Sequence, residues 1–477
     1  MGQGSKAQVR RHARRRILVL FPKEWDREEF ARPEYGDVEF VYEGFDLFRF
    51  PSNLRLARFD IRAFIDTVVR RWRGRIDGVL SNNEYFGALA AAVVAERLGL
   101  PGTPPAAVIT AQHKYYARLA QRRAVPEAVP AFSVFPFDIR DPSGLGLPFP
   151  FFVKPVRATF SVLCRRVDDF AALRRHLRFS WFEEYVIRRL VRPFNDLMPL
   201  YTDYSVDAHH LVAEELLPGR EVNLDGFMRE GEATFLGLCD AVMFPGTGHQ
   251  FERFVYPSRL PVAVQERAQD LARRVLAGMG YRHGFFNIEM FWDPATDRLT
   301  IVEVNPRLAS QLAGLYQRVD GIRPHRMLID LSTGAVPDLA RRATGQRIAA
   351  SLVSRRFDGK ALEREPGATE LAEVRRRYPD ASVMLYLKRG AALAREMKWL
   401  GSYRYAVVNL GAPTEEALDR KYEDIRRLLG FDAVPVAQRA RNTMSPNQDS
   451  AVSPVLSVSA ETMRLETAGG AVPNARR

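Results

Sequence analysis

The chain has 477 residues, enough for about three domains, and its 46% hydrophobic and 27% charged residues exclude wholesale disorder. No apolar run reaches the roughly 18 residues that cross a bilayer, and two cysteines, Cys164 and Cys239, are too few for a disulfide framework and lack metal-ligand spacing. The net charge of +13 points towards polyanions, but six basic residues (Lys6, Arg10, Arg11, Arg14, Arg15 and Arg16) crowd the first sixteen positions, so a specific nucleic-acid reader is disfavoured. With no apolar secretory core at the N-terminus, a reducing, cytoplasmic setting away from membranes is expected.

Residues 1–16 read as a basic tail. Ile17 to Phe21 (ILVLF) is a short continuous apolar run, the pattern of a buried parallel strand, and Val38 to Tyr42 and Ile76 to Leu80 are two more strand candidates. Ser81, Asn82 and Asn83 can cap the helix running through Ala88 to Leu98, which Gly99 stops. Strands alternating with helices predict a small parallel α/β domain over 17–110.

Gln112 to Arg123 is helical, Asp138 to Pro150 is a Pro/Gly-rich loop, and Phe149 to Val153 is a strand leading into Lys154-Pro155. Further strands are expected at Leu211–Leu217, Val222–Arg229 and Ala233–Val242, followed by a helix over Val262–Met279 closed by Gly280. Gly284–Asp293 and Arg298–Asn305 form a hairpin around Pro294-Ala295-Thr296-Asp297. These elements make a second unit over 111–335. A third, over 336–438, holds a strand at Tyr405–Asn409 and a helix capped by Thr414 and ended by Gly430, while 439–477 has the composition of a disordered tail.

Four pieces of the sequence carry chemistry. Glu303 and Asn305 lie two apart in one strand of the hairpin and so face the same side, and the hairpin brings Glu289 across from them. Two carboxylates and an amide oxygen form a hard oxygen set suited to Mg²⁺ (or Mn²⁺) shared with phosphates, and Arg307, two residues on, adds a cation. Among 70 basic residues only 8 are lysine, so Lys154 at the end of an apolar strand reads as a point charge for a phosphate. Lys114 stands in the helix with Tyr115 and Tyr116. The segment Glu214-Glu215-Leu216-Leu217-Pro218-Gly219-Arg220-Glu221 breaks a strand at Pro-Gly and suits a linker whose backbone reads a purine edge.

Together, in this order and spacing, these elements resemble the ATP-grasp superfamily of carboxylate–amine ligase type, in its biotin-carboxylase-like or L-amino acid ligase-like branch. The resemblance covers about residues 15–335 and extends to a cap near 435. It implies an ATP-grasp fold of α/β (α+β) class with an N-terminal parallel α/β pre-ATP-grasp domain and a C-terminal α+β cap. It also implies roles for residues. Lys114 and Lys154 would hold ATP phosphates, Glu214 and the backbones of Glu215 and Leu217 the adenine, and Glu221 the ribose. Glu289, Glu303 and Asn305 would ligate Mg²⁺, with Arg307 and Lys154 as the catalytic cations and Arg307 steadying the acyl phosphate or the substrate carboxylate. Two departures stand out. The loop after VKP reads Val156-Arg157-Ala158-Thr159-Phe160-Ser161, without the family's glycines, so Arg157 and Ser161 are the available substitutes for backbone cradling. After EVNPR the chain lacks the QVEH stretch of biotin carboxylase, which argues against bicarbonate fixation.

The expected function is an ATP- and Mg²⁺-dependent ligase. It would activate a small carboxylic acid, an amino acid first among them, as an acyl phosphate and join it to an amine, releasing ADP and phosphate. The alternatives are capture of the acyl phosphate by a thiol or carrier, or a nucleotide sensor without turnover. The Gly-rich, aromatic stretch Phe244–Arg259 reads as a loop shaping the acceptor pocket, with Arg157, His249 and Arg259 as substrate contacts. A homodimer is common among similar enzymes.

Overall fold

The structure, a computed structural model, describes residues 14–45, 58–157, 163–247 and 250–431. The expected disordered tail, Ser161 and His249 lie outside the described residues. The first strand, β1 (Arg15–Leu20), lies between β2 (Val38–Glu43) and β3 (Gly78–Leu80), parallel to both. Its apolar run is continuous because both faces are covered. Ile17 and Val19 join Phe30, Val38 and Ile329, whereas Leu18 and Leu20 join Ile65, Val69 and Val94. The strand begins two residues before the run. Arg15 and Arg16, expected at the end of a tail, are strand residues: Arg15 pairs with Asp37 and Asp330, and Arg16 with Glu39 at 2.8 Å.

Ser81 to Asn83 lead from β3 into a turn at Glu84–Phe86 instead of capping the next helix directly. Ser81 donates to the Leu20 carbonyl, and Asn83 accepts from the amides of Tyr85 and Phe86. The helix Gly87–Leu98 starts beyond this turn and ends at Gly99, whose φ of 68° takes the left-handed conformation that glycine tolerates. Helix Pro105–Gln112 breaks at His113, and a new helix, Lys114–Ala124, follows.

A second sheet, antiparallel, contains β4 (Phe132–Pro136), β5 (Phe151–Pro155), β6 (Arg165–Val167) and β7 (His210–Glu214) in the order β4-β7-β5-β6. The strand β5 runs on to Pro155, which places Lys154 inside the sheet opposite Val212. A helix at Trp181–Tyr201 was not apparent from the sequence because Pro193 and Pro199 interrupt it. A capping box of Ser180 and Glu183 starts it, and Val191, Phe194, Leu197 and Met198 bury its inner side.

The third sheet has eight strands in the order β12-β11-β8-β9-β10-β13-β15-β14. They are β8 (Arg220–Arg229), β9 (Glu232–Met243), β10 (Phe251–Tyr256), β11 (Gly284–Asp293), β12 (Arg298–Asn305), β13 (Ile348–Arg356), β14 (Ser382–Leu385) and β15 (Tyr403–Ala412). The hairpin β11–β12 has the bounds expected from its alternation. Its apolar residues Ile288, Met290, Ile301 and Val304 join Val222 and Leu224 of β8 and pack on the helix Val262–Gly278 through Leu271 and Val275.

The stretch Phe244–Arg259 is not a loop. Its centre, Phe251–Tyr256, is the strand β10, which pairs with β9 on one side and β13 on the other. Phe254 and Tyr256 face one core cluster and Val255 another, so both faces of the strand are sealed. The strands after residue 335 therefore continue the same sheet. Among the described residues, no helix is long and apolar enough to cross a membrane.

The linker between the second and third sheets turns at Gly219, whose φ is +106° and where a Cβ would lie 2.2 Å from the Trp292 carbonyl oxygen. Gly219→Ala is expected to lower stability by about 1–3 kcal/mol, because neither the backbone angle nor the carbonyl can yield cheaply. Thermal denaturation measures this, and an unchanged melting temperature would refute the strain.

Candidate active site

The site lies on the polar face of β8, β11 and β12. Alternation puts Glu221, Asn223 and Asp225 on one side of β8. The register sets Asn287 opposite both Asp225 and Asn305, and sets Glu289 opposite both Asn223 and Glu303. The Asn305 amide donates to Glu289 Oε1 and to Asn287 Oδ1, each at 3.1 Å. Asn287 in turn donates to Asn223 and to Asp225, whose other oxygen accepts from the Tyr316 hydroxyl at 2.6 Å. The hairpin's acids and amide are thus brought together.

Crowding carboxylates in a buried place has an electrostatic cost. Burial and then the neighbouring Glu303 push Glu289 up to about 7. Glu221 is raised well above the usual range by burial, Glu289 and Glu303, and its Oε1 has no hydrogen-bond partner among the described residues. Glu303 is held down despite burial, because Lys114 and Lys154 favour its charged form. Lys114 Nζ lies 2.6 Å from Glu303, and the carboxylate outweighs burial in raising the lysine's pKa.

Two elements set that lysine's place. Lys114 opens a helix whose first amide donates to the Val156 carbonyl just past β5, so the helix start and the strand end are joined. Lys154 sits 2.8 Å from Glu214, where burial and the nearby Arg118 and Lys114 lower its pKa despite that partner. Glu214 also accepts from Arg118 Nε at 2.7 Å. Arg118 continues to the carbonyls of Ile301 and Val302 on β12, at 2.9 and 2.7 Å.

The Glu214 carboxylate, expected at an adenine, is therefore taken up by two buried cations. Glu215 pairs with Arg298 at 2.7 Å, and its amide donates to the Ala131 carbonyl. The Leu217 amide makes no hydrogen bond among the described residues.

Arg307 lies just past β12 and binds Glu84 Oε2 through Nη2 at 2.8 Å and Nε at 3.1 Å. Arg157 is buried, donates to the Glu84 and Tyr85 carbonyls at 2.6 Å each, and lies over the Tyr85 and Phe194 rings. Arg259, expected at the substrate, is elsewhere. It is exposed and pairs with Glu415 on the C-terminal helix, because β10 carries this stretch into the sheet and away from the acidic face.

Glu84, Arg118, Asp225 and Asn287 were not anticipated. Faint signals exist for each. Glu84 follows a strand's carboxyl end, where α/β sheets bind ligands. Arg118 stands four residues after Lys114 on the same helix face. Asp225 and Asn287 are polar positions in period-2 register inside apolar strands.

A divalent ion fits the donor chemistry of Glu289, Glu303 and Asn305: buried carboxylates in mutual repulsion, with one raised to about 7, gain from a cation. Among the described residues, no group of three or more His, Cys, Asp and Glu could hold a metal by itself, so phosphate oxygens would have to complete the shell.

Residues 147–315 match the ATP-grasp domain family. The chain carries an ATP-grasp domain. That span holds β5 through β12, and with them Lys154, Glu214, Glu289, Glu303, Asn305 and Arg307, whereas Glu84, Lys114 and Arg118 precede it. Carnosine synthase 1 of Gallus gallus is 28% identical over 297 residues, covering 57% of this chain and 29% of that protein. The carbamoyl phosphate synthase large chain of Thermotoga sp. (strain RQ2) is 27% identical over 167 residues, covering 33% of this chain and 15% of that protein. The chain thus matches less than a third of either relative's length.

The same fold recurs in the L-amino acid ligase from Bacillus licheniformis, with a TM-score of 0.60 and 17% identity over 87% of this chain and 97% of that one. It recurs as well in the ATP complex of carboxyaminoimidazole ribonucleotide synthase from Aspergillus clavatus, with a TM-score of 0.58 and 16% identity over 87% of this chain and 98% of that one.

Burial raises the pKa of Glu214, but Arg118 and Lys154 win and bring it from 4.5 to about 2. A depressed carboxylate adds stability that is complete above its unfolded pKa and is lost as pH falls towards the folded value. Glu214→Gln should therefore lower the unfolding free energy by about 3 kcal/mol at pH 7, with the gap to wild type closing below pH 4.5. Denaturant titrations at pH 7 and at pH 3 measure it. A gap of the same size at both would contradict the ion-pair account.

Proposed function

We propose that this ATP-grasp chain is an ATP-dependent carboxylate–amine ligase. The observation that carries the reading is the convergence of two buried lysines with three acidic residues and an amide between two sheets. Lys114 and Glu303 are 2.6 Å apart, Lys154 and Glu214 2.8 Å apart, and Glu289 and Asn305 lie beside them. A carboxylate is inert towards amines at neutral pH. Attack of its oxygen on the γ-phosphorus of ATP expels ADP and leaves an acyl phosphate, whose carbonyl carbon an amine then attacks, expelling phosphate and losing a proton to form the amide.

In-line phosphoryl transfer asks little covalent help of a protein and much of its cations. Lys114 and Lys154 would face the phosphates as point charges, and Arg307, once released from Glu84, would supply a forked donor set for the transferred group. Glu289, Glu303 and Asn305 would hold Mg²⁺ (or Mn²⁺), which neutralises charge on the phosphate oxygens when bound. The Glu215 carbonyl and Leu217 amide are left for the adenine edge, and Glu221 stands next along the linker for the ribose. The names of the relatives, an amino acid ligase and carnosine synthase among them, support an amino acid as one substrate.

Glu303→Gln is expected to cut turnover on the order of 10²-fold or more, because it removes the metal ligand that Lys114 balances. ADP and phosphate release against pooled amino acids, other carboxylates and amines measures it. Near wild-type ATP consumption by that variant would remove Glu303 from the mechanism, and AMP with pyrophosphate as products would overturn the acyl-phosphate route.

A further inference from the structure

Arg307 is not free to meet a phosphoryl group. Both its Nε and its Nη2 are spent on Glu84 Oε2, and the two side chains are only 19% and 11% exposed. A guanidinium neutralised in this way adds little positive potential over the acidic face. Breaking such a pair without compensation leaves a part-buried carboxylate unpaired, which is costly. Whatever frees Arg307 must therefore bring a cation to Glu84.

The surroundings of Glu84 are built for a polar visitor. Gln112 Nε2 and Arg157 Nη2 both donate to the Glu84 carbonyl oxygen, at 2.7 and 2.6 Å, so their side chains meet at one point. Gln112 is 1% and Arg157 2% exposed, yet among the described residues Gln112 Oε1 and Arg157 Nε and Nη1 have no hydrogen-bond partner. These buried atoms belong to two side chains that meet at the Glu84 main-chain carbonyl. An ammonium would satisfy Glu84 and the Gln112 oxygen, and a carboxylate would satisfy Arg157.

We propose that the Glu84–Arg307 pair is a latch that an amino acid opens, its ammonium replacing Arg307 on Glu84. Charge is conserved in the exchange: one cation leaves the carboxylate as another arrives. The freed guanidinium then turns to the phosphoryl group on the neighbouring acidic face. A desamino acid carries no cation and leaves the latch closed, so ATP is not spent on it. The fate of the freed arginine rests on the ligase reading, whereas the exchange itself does not.

The test uses the full chain with Mg²⁺ and a non-hydrolysable ATP analogue. Calorimetry compares the twenty common L-amino acids and β-alanine with their desamino counterparts, for wild type, Glu84→Gln and Glu84→Asp. At least one amino acid should bind wild type about tenfold or more tightly than its desamino partner. That preference should fall below about twofold in Glu84→Gln and be restored in part by Glu84→Asp. In a parallel assay with ATP, Glu84→Gln should release ADP without amino acid about fivefold or more faster than wild type, because Arg307 is always free. No amino acid preference in wild type, or a preference that survives Glu84→Gln, would overturn the latch. So would unchanged idle ADP release in a wild-type enzyme that amino acids activate. Absence of ADP release under every condition would fall on the ligase reading instead, leaving the calorimetry to judge the exchange.

Discussion

The arrangement hangs on a single guanidinium. Arg118 is 2% exposed and joins the Glu214 carboxylate at the end of β7 to two carbonyls of β12. These strands belong to different sheets, so one side chain fixes the distance between the two buried lysines and the acidic face. Glu214 closes the circuit by holding Lys154. A buried charge of this kind is tolerable only when every partner is in place. The demand for complete partners is what sets the geometry: no member can move without stranding another. The acids of β8, β11 and β12 then accumulate more negative charge than their surroundings can hold, which is the electrostatic signature of a face made for cations.

How legible this was in the sequence depended on whether a signal was local. The hairpin β11–β12 was readable because apolar and polar residues alternate through both strands around a four-residue turn, and pairing then placed Glu289 opposite Glu303. Lys154 was readable through scarcity, since lysine is rare among the basic residues. The strand β10 was hidden. Gly246 and Pro257 frame FERFVY as a loop, and only a partner strand nearly a hundred residues later, β13, makes it an interior strand. Glu84, Arg118 and Asp225 were hidden for a related reason. Their roles are set by partners 62 to 223 residues away, which no short window contains.

The expected roles shifted in one consistent way. Glu214 and Lys114 were both read as groups awaiting the nucleotide, and both are engaged with protein partners. A nucleotide site with buried charges must satisfy them before the ligand arrives. On the proposed reading each phosphate oxygen would enter as a competitor for cations already committed to carboxylates, and affinity would be the difference between two well-paired arrangements.

The continuity of the eight-stranded sheet constrains how the chain could be shortened. With β13 removed, β10 would present a row of bare amides and carbonyls along its flank, the kind of seam on which a second copy pairs and aggregation begins. The strands beyond residue 335 thus hem the strands that carry the acidic face, and a truncation tidy on paper would trade a closed border for a sticky one.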